Sequence, residues 1–333
     1  MRIINFFSHI TVPASNGNIK VVSIPLIPFL DKFAVLRKIN DAIIVHCVHF
    51  FMRLYGLHNP TLIIYNPRFS CVIGKLDEGL VCYEVTDDKP EFESSSEWLK
   101  KDHQFLIKKA DLITVSANTL YEKISKERND DVFLISNGVD VSHFQRALEN
   151  IEIPNDIRDI KNPILGYIGA VGEWFDFTLL EEILKRYPNV SVVLIGWVFK
   201  KQRKIIGKLS SSYKNFYFLG RRSYDRLPNY VKAFTVCVIP FRIYELTKAV
   251  DPTKLYEYIA AGKPVISSAL PELEKYKDVI YWARDHDEFL EFVDKALITR
   301  HNISKFLQIA ERNDWQDKAR QLMNITNCYE STL

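Results

Sequence analysis

Short runs of apolar, mostly β-branched residues recur through the second half of the chain. The runs are continuous rather than alternating, which is typical of strands buried on both faces of a parallel sheet. Segments with helical periodicity fill the gaps between the runs, so the pattern predicts a doubly wound α/β domain. The predicted strands are residues 164–170, 190–196, 216–220, 236–241, 264–268 and 279–283.

The first half of the chain has the same alternation in a less regular form, with a long helix expected over about residues 34–57. The polar segment 143–163 contains two prolines and indicates a linker. We therefore predict α/β domains over residues 1–145 and 146–310, with a ligand in the cleft that faces the carboxyl ends of both sets of strands. The strands predicted in the first domain are 19–24, 61–65, 80–85, 112–115 and 132–135.

Composition narrows the class of protein. The chain has 333 residues, enough for two domains, with 47% hydrophobic and 26% charged residues, as in ordinary globular proteins. A net charge of +3 is too small to indicate a nucleic-acid partner, although it is compatible with loose contact to an anionic membrane surface. The five cysteines form no C-x-x-C pair, which indicates free thiols in a reducing compartment and no zinc site. The N-terminus lacks the pattern of a signal peptide, so we expect a cytoplasmic protein.

The segment 251–268, DPTKLYEYIAAGKPVISS, predicts a capped helix followed by a strand. Asp251 suits the N-cap, Pro252 suits the first helical position, and Gly262 suits the position after the last turn. The helix is expected over 252–261, with its N-terminus at the cleft, where free backbone N–H groups can bind a diphosphate. The N–H groups expected to serve in this way are those of Thr253, Lys254 and Leu255.

Lys254 and Glu257 lie three positions apart and should share one face of this helix. The lysine can add positive charge near the phosphates, and the glutamate can accept the two hydroxyl hydrogen bonds that a ribose diol offers. A capped helix with an exposed Lys/Glu pair also occurs without any ligand, so spacing alone leaves a structural role open.

Five segments agree in order and spacing with one known family. They are 135–144 (ISNGVDVSHF), 166–176 (GYIGAVGEWFD), 218–238 (FLGRRSYDRLPNYVKAFTVCV), 251–267 (DPTKLYEYIAAGKPVIS) and 310–323 (AERNDWQDKARQLM). Together they resemble the retaining GT-B glycosyltransferases of the glycogen-synthase-like and bacterial polysaccharide group, nearest to the teichuronic-acid biosynthesis branch. The resemblance implies two Rossmann-like domains facing a cleft, a shortened N-terminal domain, and a closing C-terminal helix within 311–333.

The resemblance also implies roles for individual residues. Glu257 would bind the donor ribose, and residues 253–255 would hold the diphosphate. Asp87 and Asp88 follow a strand of the first domain and would position the acceptor hydroxyl, although capping of the loop is an equal alternative. Further donor contacts are expected from Gly172, Arg221, Arg222 and Lys248, with a solvated loop as the alternative for the arginine pair.

Two departures from the family pattern concern charge at the donor. Many relatives carry a glutamate eight residues before Glu257, where this chain has Ala249. The Arg/Lys pair that often follows the first strand of the donor domain is replaced by GEWFD. Phosphate charge would therefore have to be met by Lys254, Arg221, Arg222 or Lys248.

The resemblance implies that this protein is a glycosyltransferase of the hexosyltransferase type. It would move a sugar from a UDP- or GDP-linked donor to a hydroxyl on a lipid-linked or polysaccharide acceptor, in bacterial surface polysaccharide synthesis. No cofactor and no metal are expected, and retention of configuration is implied by the resemblance alone. An inactive nucleotide-sugar-binding relative and a nucleotide-sugar epimerase of the same fold stay open as alternatives. A peripheral position at the inner face of the plasma membrane is compatible with the expected cytoplasmic location.

Overall fold

A computed structural model describes residues 19–27, 33–88, 90 and 96–330. Within these ranges the chain forms two parallel β-sheets, one from each half of the sequence. The strands of the first sheet are β1 (Thr61–Ile64), β2 (Leu80–Val85), β3 (Leu112–Val115) and β4 (Val132–Leu134), in the order β1-β2-β3-β4. Nearly all side chains of β2 and β3 are buried, as their continuous apolar runs predict.

Helices cover the first sheet. They are α1 (Ala34–Leu54), α2 (Glu97–Lys109) and α3 (Asn118–Ser125), with a 3₁₀ segment at Pro67–Val72. Helix α2 begins where the Ser96 hydroxyl accepts the backbone N–H of Leu99, which satisfies one of the free donors of the first turn. Leu106 and Ile107 of α2 are buried against the sheet and form part of its core.

The predicted strand at 19–24 is wrong. Residues 19–27 have no regular secondary structure, and most of them are exposed. Ile24 and Leu26 pack against the core, and the backbone N–H and C=O of Ile27 both bond the buried side-chain amide of Asn40, at 3.0 and 3.1 Å. The Asn40 amide satisfies the backbone hydrogen bonds of one residue, whereas a strand needs a ladder of backbone partners along its length. The β-branched composition of this segment therefore did not specify a strand.

The second sheet has the doubly wound topology that the sequence predicts. Its order is β10-β9-β8-β5-β6-β7, so the direction of winding reverses between β5 and β8. Every residue of β5, β6, β8 and β9 is buried. The strands are β5 (Ile164–Ile168), β6 (Ser191–Ile195), β7 (Phe216–Gly220), β8 (Val236–Ile239), β9 (Val265–Ser268) and β10 (Tyr281–Ala283).

The helices of the second half alternate with these strands. Amphipathic faces position them, as in α6, where Leu179, Leu180, Ile183 and Leu184 are buried. The helices are α4 (Val141–Gln145), α5 (Asn155–Arg158), α6 (Phe177–Arg186), α7 (Arg203–Ser212), α8 (Leu227–Ala233), α9 (Glu245–Lys248), α10 (Thr253–Ala260), α11 (His286–Ile298) and α12 (Ile303–Glu311).

The last helix, α13 (Trp315–Glu330), returns to the first sheet. The chain therefore crosses between the two sheets twice, and the crossings are joined where Val139 bonds the backbones of Asn313 and Trp315. None of the helices in the described ranges is both long enough and apolar enough to cross a membrane. The side chains that pack α13 on the first sheet are Leu322, Ile325 and Tyr329, against Leu80, Cys82 and Leu112.

Candidate functional site

A cavity of about 360 Å³ lies between the two sheets. Thr86 and Asp87, which follow β2, line it from the first sheet. Trp174 and Phe241, which follow β5 and β8, line it from the second. The cavity therefore lies at the point where the winding of the second sheet reverses, which is where ligands bind in open α/β sheets.

Helix α10 begins at this cavity, but its N-cap differs from the prediction. Pro252 is the N-cap, and Asp251 does not cap the helix. The buried Asp251 carboxylate instead accepts the backbone N–H of Asn137 at 2.9 Å and the hydroxyl of Tyr256 at 2.9 Å. Burial raises the pKa of Asp251 to about 6, against the opposing charge of Lys275. Asp251 thus joins Tyr256 of α10 to Asn137 in the connection between the domains, instead of capping the helix.

The free N–H groups at the start of α10 are fewer than predicted. Leu255 donates its N–H to the carbonyl of Pro252 at 3.0 Å, so the prediction of a free Leu255 N–H is wrong. The N–H groups of Thr253 and Lys254 have no acceptor within the part of the chain that the structure describes. The predicted C-terminal glycine is confirmed: Gly262 has φ +68° and directly follows the C-cap residue of α10.

The Lys254 side chain reaches the cavity between two aromatic rings. Its Nζ lies 5.6 Å from the ring centroid of Tyr167 and 5.8 Å from that of Phe241. Burial lowers the pKa of Lys254, while the carboxylates of Glu257 and Asp87 oppose that shift. No protein acceptor of its ammonium occurs among the described residues. A cation held in this way at a cavity wall is suited to bind an anion.

Gly169 provides the space for this lysine. It has φ +138°, and a Cβ built on it would lie 2.1 Å from Cε of Lys254. Any side chain at this position would therefore be strained and would collide with the lysine.

Glu257 lies on α10 one turn further from the cavity. Burial raises the pKa of its carboxyl group, and the charge of Lys254 opposes the shift. Its charge also contributes to the raised pKa of Tyr224, which lies after β7 and stacks on His143 with ring centroids 4.5 Å apart. Lys254 and Glu257 thus act on each other electrostatically from one face of the helix, as their spacing predicts.

The two neighbouring aspartates, Asp87 and Asp88, have different surroundings in the structure. Asp87 lines the cavity and acts on the charge of Lys254 from the opposite domain. Asp88 is buried, and its carboxylate pairs with Nζ of Lys123 at 2.7 Å. Only Asp87 is therefore placed to meet a ligand in the cavity.

The other predicted donor residues do not line the cavity. Arg222 is paired with Asp156 at 2.6 Å, and Lys248 is paired with Glu245 at 2.7 Å. Arg221 is exposed on the loop after β7. Their roles at the donor stay predictions, and of the cations considered for the phosphates only Lys254 lines the cavity.

Gly172 borders a second groove rather than the cavity. A Cβ built on it would meet the ring of Trp174 at 2.6 Å. The absence of a side chain at this position thus allows Trp174 to pack, and a direct contact of Gly172 with the donor or acceptor stays a prediction. Ala249, where many relatives carry glutamate, is buried and packs in the core of the first domain.

Sequence reasoning missed four residues that shape the site: Gly169, Trp174, Phe241 and Asn137. Gly169 and Trp174 lie within GYIGAVGEWFD, and Asn137 lies within ISNGVDVSHF. Both segments contribute to the family resemblance, but the resemblance did not assign a role to these three residues. Phe241 ends an apolar run and carries no sequence signal that separates it from a core residue. Within the described ranges no three His, Cys, Asp or Glu side chains lie close enough to hold a metal ion.

Comparison with known proteins relates the second half of the chain to one protein family. Residues 162–298 match the family model described as glycosyl transferases group 1. The chain is 24% identical over 233 residues to the teichuronic acid biosynthesis glycosyltransferase TuaH of Bacillus subtilis. The match covers 66% of this chain and 58% of that relative, so it spans a little over half of the relative's length.

Solved structures are similar over both domains. HepE of Anabaena, in complex with UDP and glucose, has a TM-score of 0.66 at 15% identity, with 91% of this chain and 84% of that chain covered. Sucrose-phosphate synthase of Thermosynechococcus elongatus has a TM-score of 0.66 at 18% identity, with 90% and 80% covered. These likenesses confirm the predicted architecture of two Rossmann-like domains facing a cleft.

Proposed function

We propose, from the premise that residues 162–298 form a glycosyl transferase group 1 domain on a GT-B fold, that this protein transfers a hexosyl group. The donor would be a UDP- or GDP-linked sugar, and the acceptor a hydroxyl group on a lipid-linked or polysaccharide chain. The observation that carries the proposal is the cavity at the reversal point of the second sheet. There, the ammonium of Lys254 and the backbone N–H groups of Thr253 and Lys254 converge, and none of them has a hydrogen-bond acceptor among the described residues.

The proposed mechanism depends on charge at the leaving group. The acceptor hydroxyl oxygen forms a bond to the anomeric carbon while the bond from that carbon to the diphosphate oxygen breaks. The electron pair of the broken bond stays with the diphosphate, and the hydroxyl proton passes to the released diphosphate. Lys254 and the N–H groups of Thr253 and Lys254 stabilise that charge, and they are held in place before the reaction begins. Retention of configuration and independence from metals belong to this proposal and rest on the resemblance of the sequence.

Glu257 would bind the sugar donor, and Asp87 would bind the acceptor. Glu257 is partly buried on α10, where its two carboxylate oxygens can accept the ribose hydroxyls. Asp87 enters the cavity from the first domain and can accept a hydrogen bond from the acceptor hydroxyl. The division supports a donor side on the second domain and an acceptor side on the first.

The cellular role is proposed from the matched relative. TuaH is described as a glycosyltransferase of teichuronic acid biosynthesis, which supports a role in bacterial surface polysaccharide synthesis. The location in the cytoplasm, at the inner face of the plasma membrane, stays a prediction.

The test combines binding with turnover. Isothermal titration with UDP and GDP should give binding to one of them, and Lys254→Ala should weaken it roughly tenfold or more. Lys185→Ala, on the surface of α6, is the matched control and should bind as the unchanged protein does. A panel of UDP- and GDP-sugars should identify a donor that is hydrolysed or transferred. Binding without turnover of any donor would instead support an inactive nucleotide-sugar binder. Absence of all nucleotide binding would contradict both the transferase and the inactive binder.

A further inference from the structure

Helix α1 of the first domain has one face turned to the protein and one turned to solvent. Arg37, Asn40 and Ile44 are buried on the inner face, at the three- and four-residue spacing of a helix. The guanidinium of Arg37 pairs with the carboxylate of Asp102 in α2, and Ile44 joins the core of the first domain. The inner face thus fixes α1 on the first domain, and the described residues leave the opposite face uncovered.

The opposite face of α1 is mainly apolar. Exposed side chains recur on it every three or four positions along the whole helix. Val35 is 74% exposed, Phe50 is 61% exposed and Leu54 is 59% exposed. We call this surface the outer face of α1 and define it by Val35, Ile39, Ala42, His46, Phe50 and Leu54.

This pattern is unusual for a helix at the surface of a protein. Such a helix normally carries polar side chains on the face opposite the core. The outer face of α1 has one polar side chain, His46, and its Nδ1 lies 2.7 Å from the backbone carbonyl oxygen of Ala42 in the same helix. A contiguous exposed apolar surface marks a site of contact with another protein or with a membrane.

Aromatic side chains extend the outer face at the end of α1. The rings of Phe50 and Phe51 meet edge to face with centroids 5.2 Å apart, and Phe51 stacks on Tyr55 with centroids 6.2 Å apart. Tyr55 and Leu57 follow the helix, and both are exposed. Tyrosine is enriched at the boundary between water and a bilayer, because its ring is apolar and its hydroxyl group is polar.

The unpaired charge on this helix is entirely positive. Asp41 is the only acidic residue between positions 33 and 60, and its carboxylate pairs with the guanidinium of Arg68 at 2.6 Å. Lys38 and Arg53 are exposed near the two ends of the outer face, and neither has an ion-pair partner in the part of the chain that the structure describes. The outer face is therefore complementary to a partner that offers hydrocarbon and negative charge together.

We propose that the outer face of α1 docks on an anionic phospholipid bilayer, with the helix axis parallel to the membrane plane. Val35, Phe50 and Leu54 enter the boundary between headgroups and acyl chains, and Lys38 and Arg53 pair with lipid phosphates. Only one face of α1 is available for this contact, because the other packs on the first domain. The inference does not depend on the proposed transfer, although a lipid-linked acceptor would lie at the same membrane surface.

A second copy of this chain fits the outer face less well. In a two-fold dimer through this surface, the outer faces of both copies would meet. Lys38 and Arg53 of one copy would then lie near the same two residues of the other, and no acidic residue of either outer face would compensate them. An anionic bilayer supplies the missing negative charge together with an apolar layer.

The test measures flotation of the full-length protein with vesicles in the absence of nucleotide. Vesicles of equal parts phosphatidylglycerol and phosphatidylcholine are compared with vesicles of phosphatidylcholine alone. We expect at least about fivefold tighter binding to the anionic vesicles. Because salt screens the contribution of the cations, this preference should shrink in about 0.5 M NaCl.

Two double variants separate the apolar contribution from the charged one. F50S/L54S should lose at least about tenfold in affinity for the anionic vesicles at either salt concentration. K38E/R53E should lose at least about tenfold at low salt and much less at high salt. Circular dichroism checks the fold of both variants. K38E/R53E replaces exposed side chains that have no ion-pair partner among the described residues, so it tests the proposal even if F50S/L54S does not fold.

Each double variant has a matched control. F105S/I298S removes two apolar side chains that are exposed on α2 and α11. K208E/K305E makes the same change in net charge as K38E/R53E, at exposed positions of α7 and α12. Both controls should bind the anionic vesicles as the unchanged protein does. All four variants should keep the UDP and GDP affinity of the unchanged protein, since none of their residues lines the cavity.

Other results would overturn the proposal. Failure of the unchanged protein to bind the anionic vesicles at millimolar lipid would remove the site. Binding that both outer-face variants retain would assign the membrane contact to another surface. A dimer that light scattering detects and F50S/L54S abolishes would assign the outer face to a second copy. Vesicle binding through the outer face, in a protein that binds neither UDP nor GDP, would refute the proposed function and leave this inference intact.

Discussion

The carboxylate of Asp251 and the backbone N–H of Asn137 are joined by a hydrogen bond of 2.9 Å. The side-chain amide of Asn137 donates a hydrogen bond of 2.6 Å to the backbone carbonyl of Asp251. Asn137 belongs to the segment that crosses between the sheets, and Asp251 immediately precedes Pro252, the N-cap of α10. The pair therefore fixes the start of the helix at the cavity against the connection between the domains.

This arrangement predicts a dependence of stability on pH. Burial raises the pKa of Asp251 from its ordinary 3.8 to about 6, so the folded protein binds a proton more tightly than the unfolded chain. The contribution of Asp251 to the free energy of unfolding should fall as pH rises from about 4 to 6, by an amount on the order of 3 kcal/mol. Urea unfolding across this range should show the fall, and Asp251→Asn should remove it. An equal slope in both proteins would contradict the prediction.

His286 should act in a separate range of pH. Its ring bonds the carboxylates of Asp176 at 3.0 Å and Glu182 at 2.9 Å. Burial lowers the pKa of His286, but these two partners outweigh it and raise the pKa above 6.5. Its contribution is thus complete at a pH below 6.5 and is lost as pH rises through the raised value. Thermal unfolding from pH 6 to 9 should show this loss in the unchanged protein and not in His286→Asn, with Asp287→Asn as the control.

Gly169→Ala should displace Lys254. The new Cβ would lie 2.1 Å from Cε of the lysine, at a φ of +138° that side-chain-bearing residues rarely adopt. We expect nucleotide affinity to fall roughly tenfold or more, and stability to fall by about 1–3 kcal/mol. The matched control is Gly207→Ala in α7, where nothing lies within 4 Å of the new Cβ and stability should rise slightly. Unchanged UDP and GDP affinity in Gly169→Ala would count against the role of Lys254.

Glu257→Ala should weaken nucleotide binding and leave the fold intact. The carboxylate is expected to accept two ribose hydroxyl bonds, so its loss should reduce affinity roughly tenfold or more. Titration with UDP and GDP measures the loss, and circular dichroism checks the fold. Glu291→Ala, on the exposed surface of α11, serves as the control. If 2′,3′-dideoxy nucleotides lose as much affinity for the variant as the ribonucleotides do, Glu257 does not act through the ribose.

Glu272 should stabilise the contact between the domains. It is buried in the second domain, and its carboxylate accepts the backbone N–H of Thr119 at 3.0 Å and the amide of Asn118 at 3.1 Å, at the start of α3 in the first domain. Glu272→Ala should lower the free energy of unfolding by about 3 kcal/mol, because the backbone N–H of Thr119 and the amide of Asn118 lose a buried acceptor. Urea unfolding measures the change. Glu272 lies in the 3₁₀ segment Pro271–Tyr276, and Glu274→Ala, at an exposed position of that segment, should change stability little.

The sequence was most informative where burial is uniform. The continuous apolar runs predicted the strands of the second domain to within a few residues, because a strand covered on both faces needs apolar side chains throughout. It was least informative at 19–24, where β-branched residues find no partner strand. Pairing with a neighbour is a property of the fold, and no local pattern encodes it.

At the site, the sequence by itself determined the helix that carries Lys254 and Glu257, since its spacing and C-terminal glycine are local features. Only the tertiary structure decided that Asp251 bonds Asn137 and Tyr256 instead of capping the helix, and that Asp87 faces the cavity while Asp88 pairs with Lys123. The physical reason is that a carboxylate takes the nearest donors that burial brings to it, and most of those donors come from segments distant in sequence.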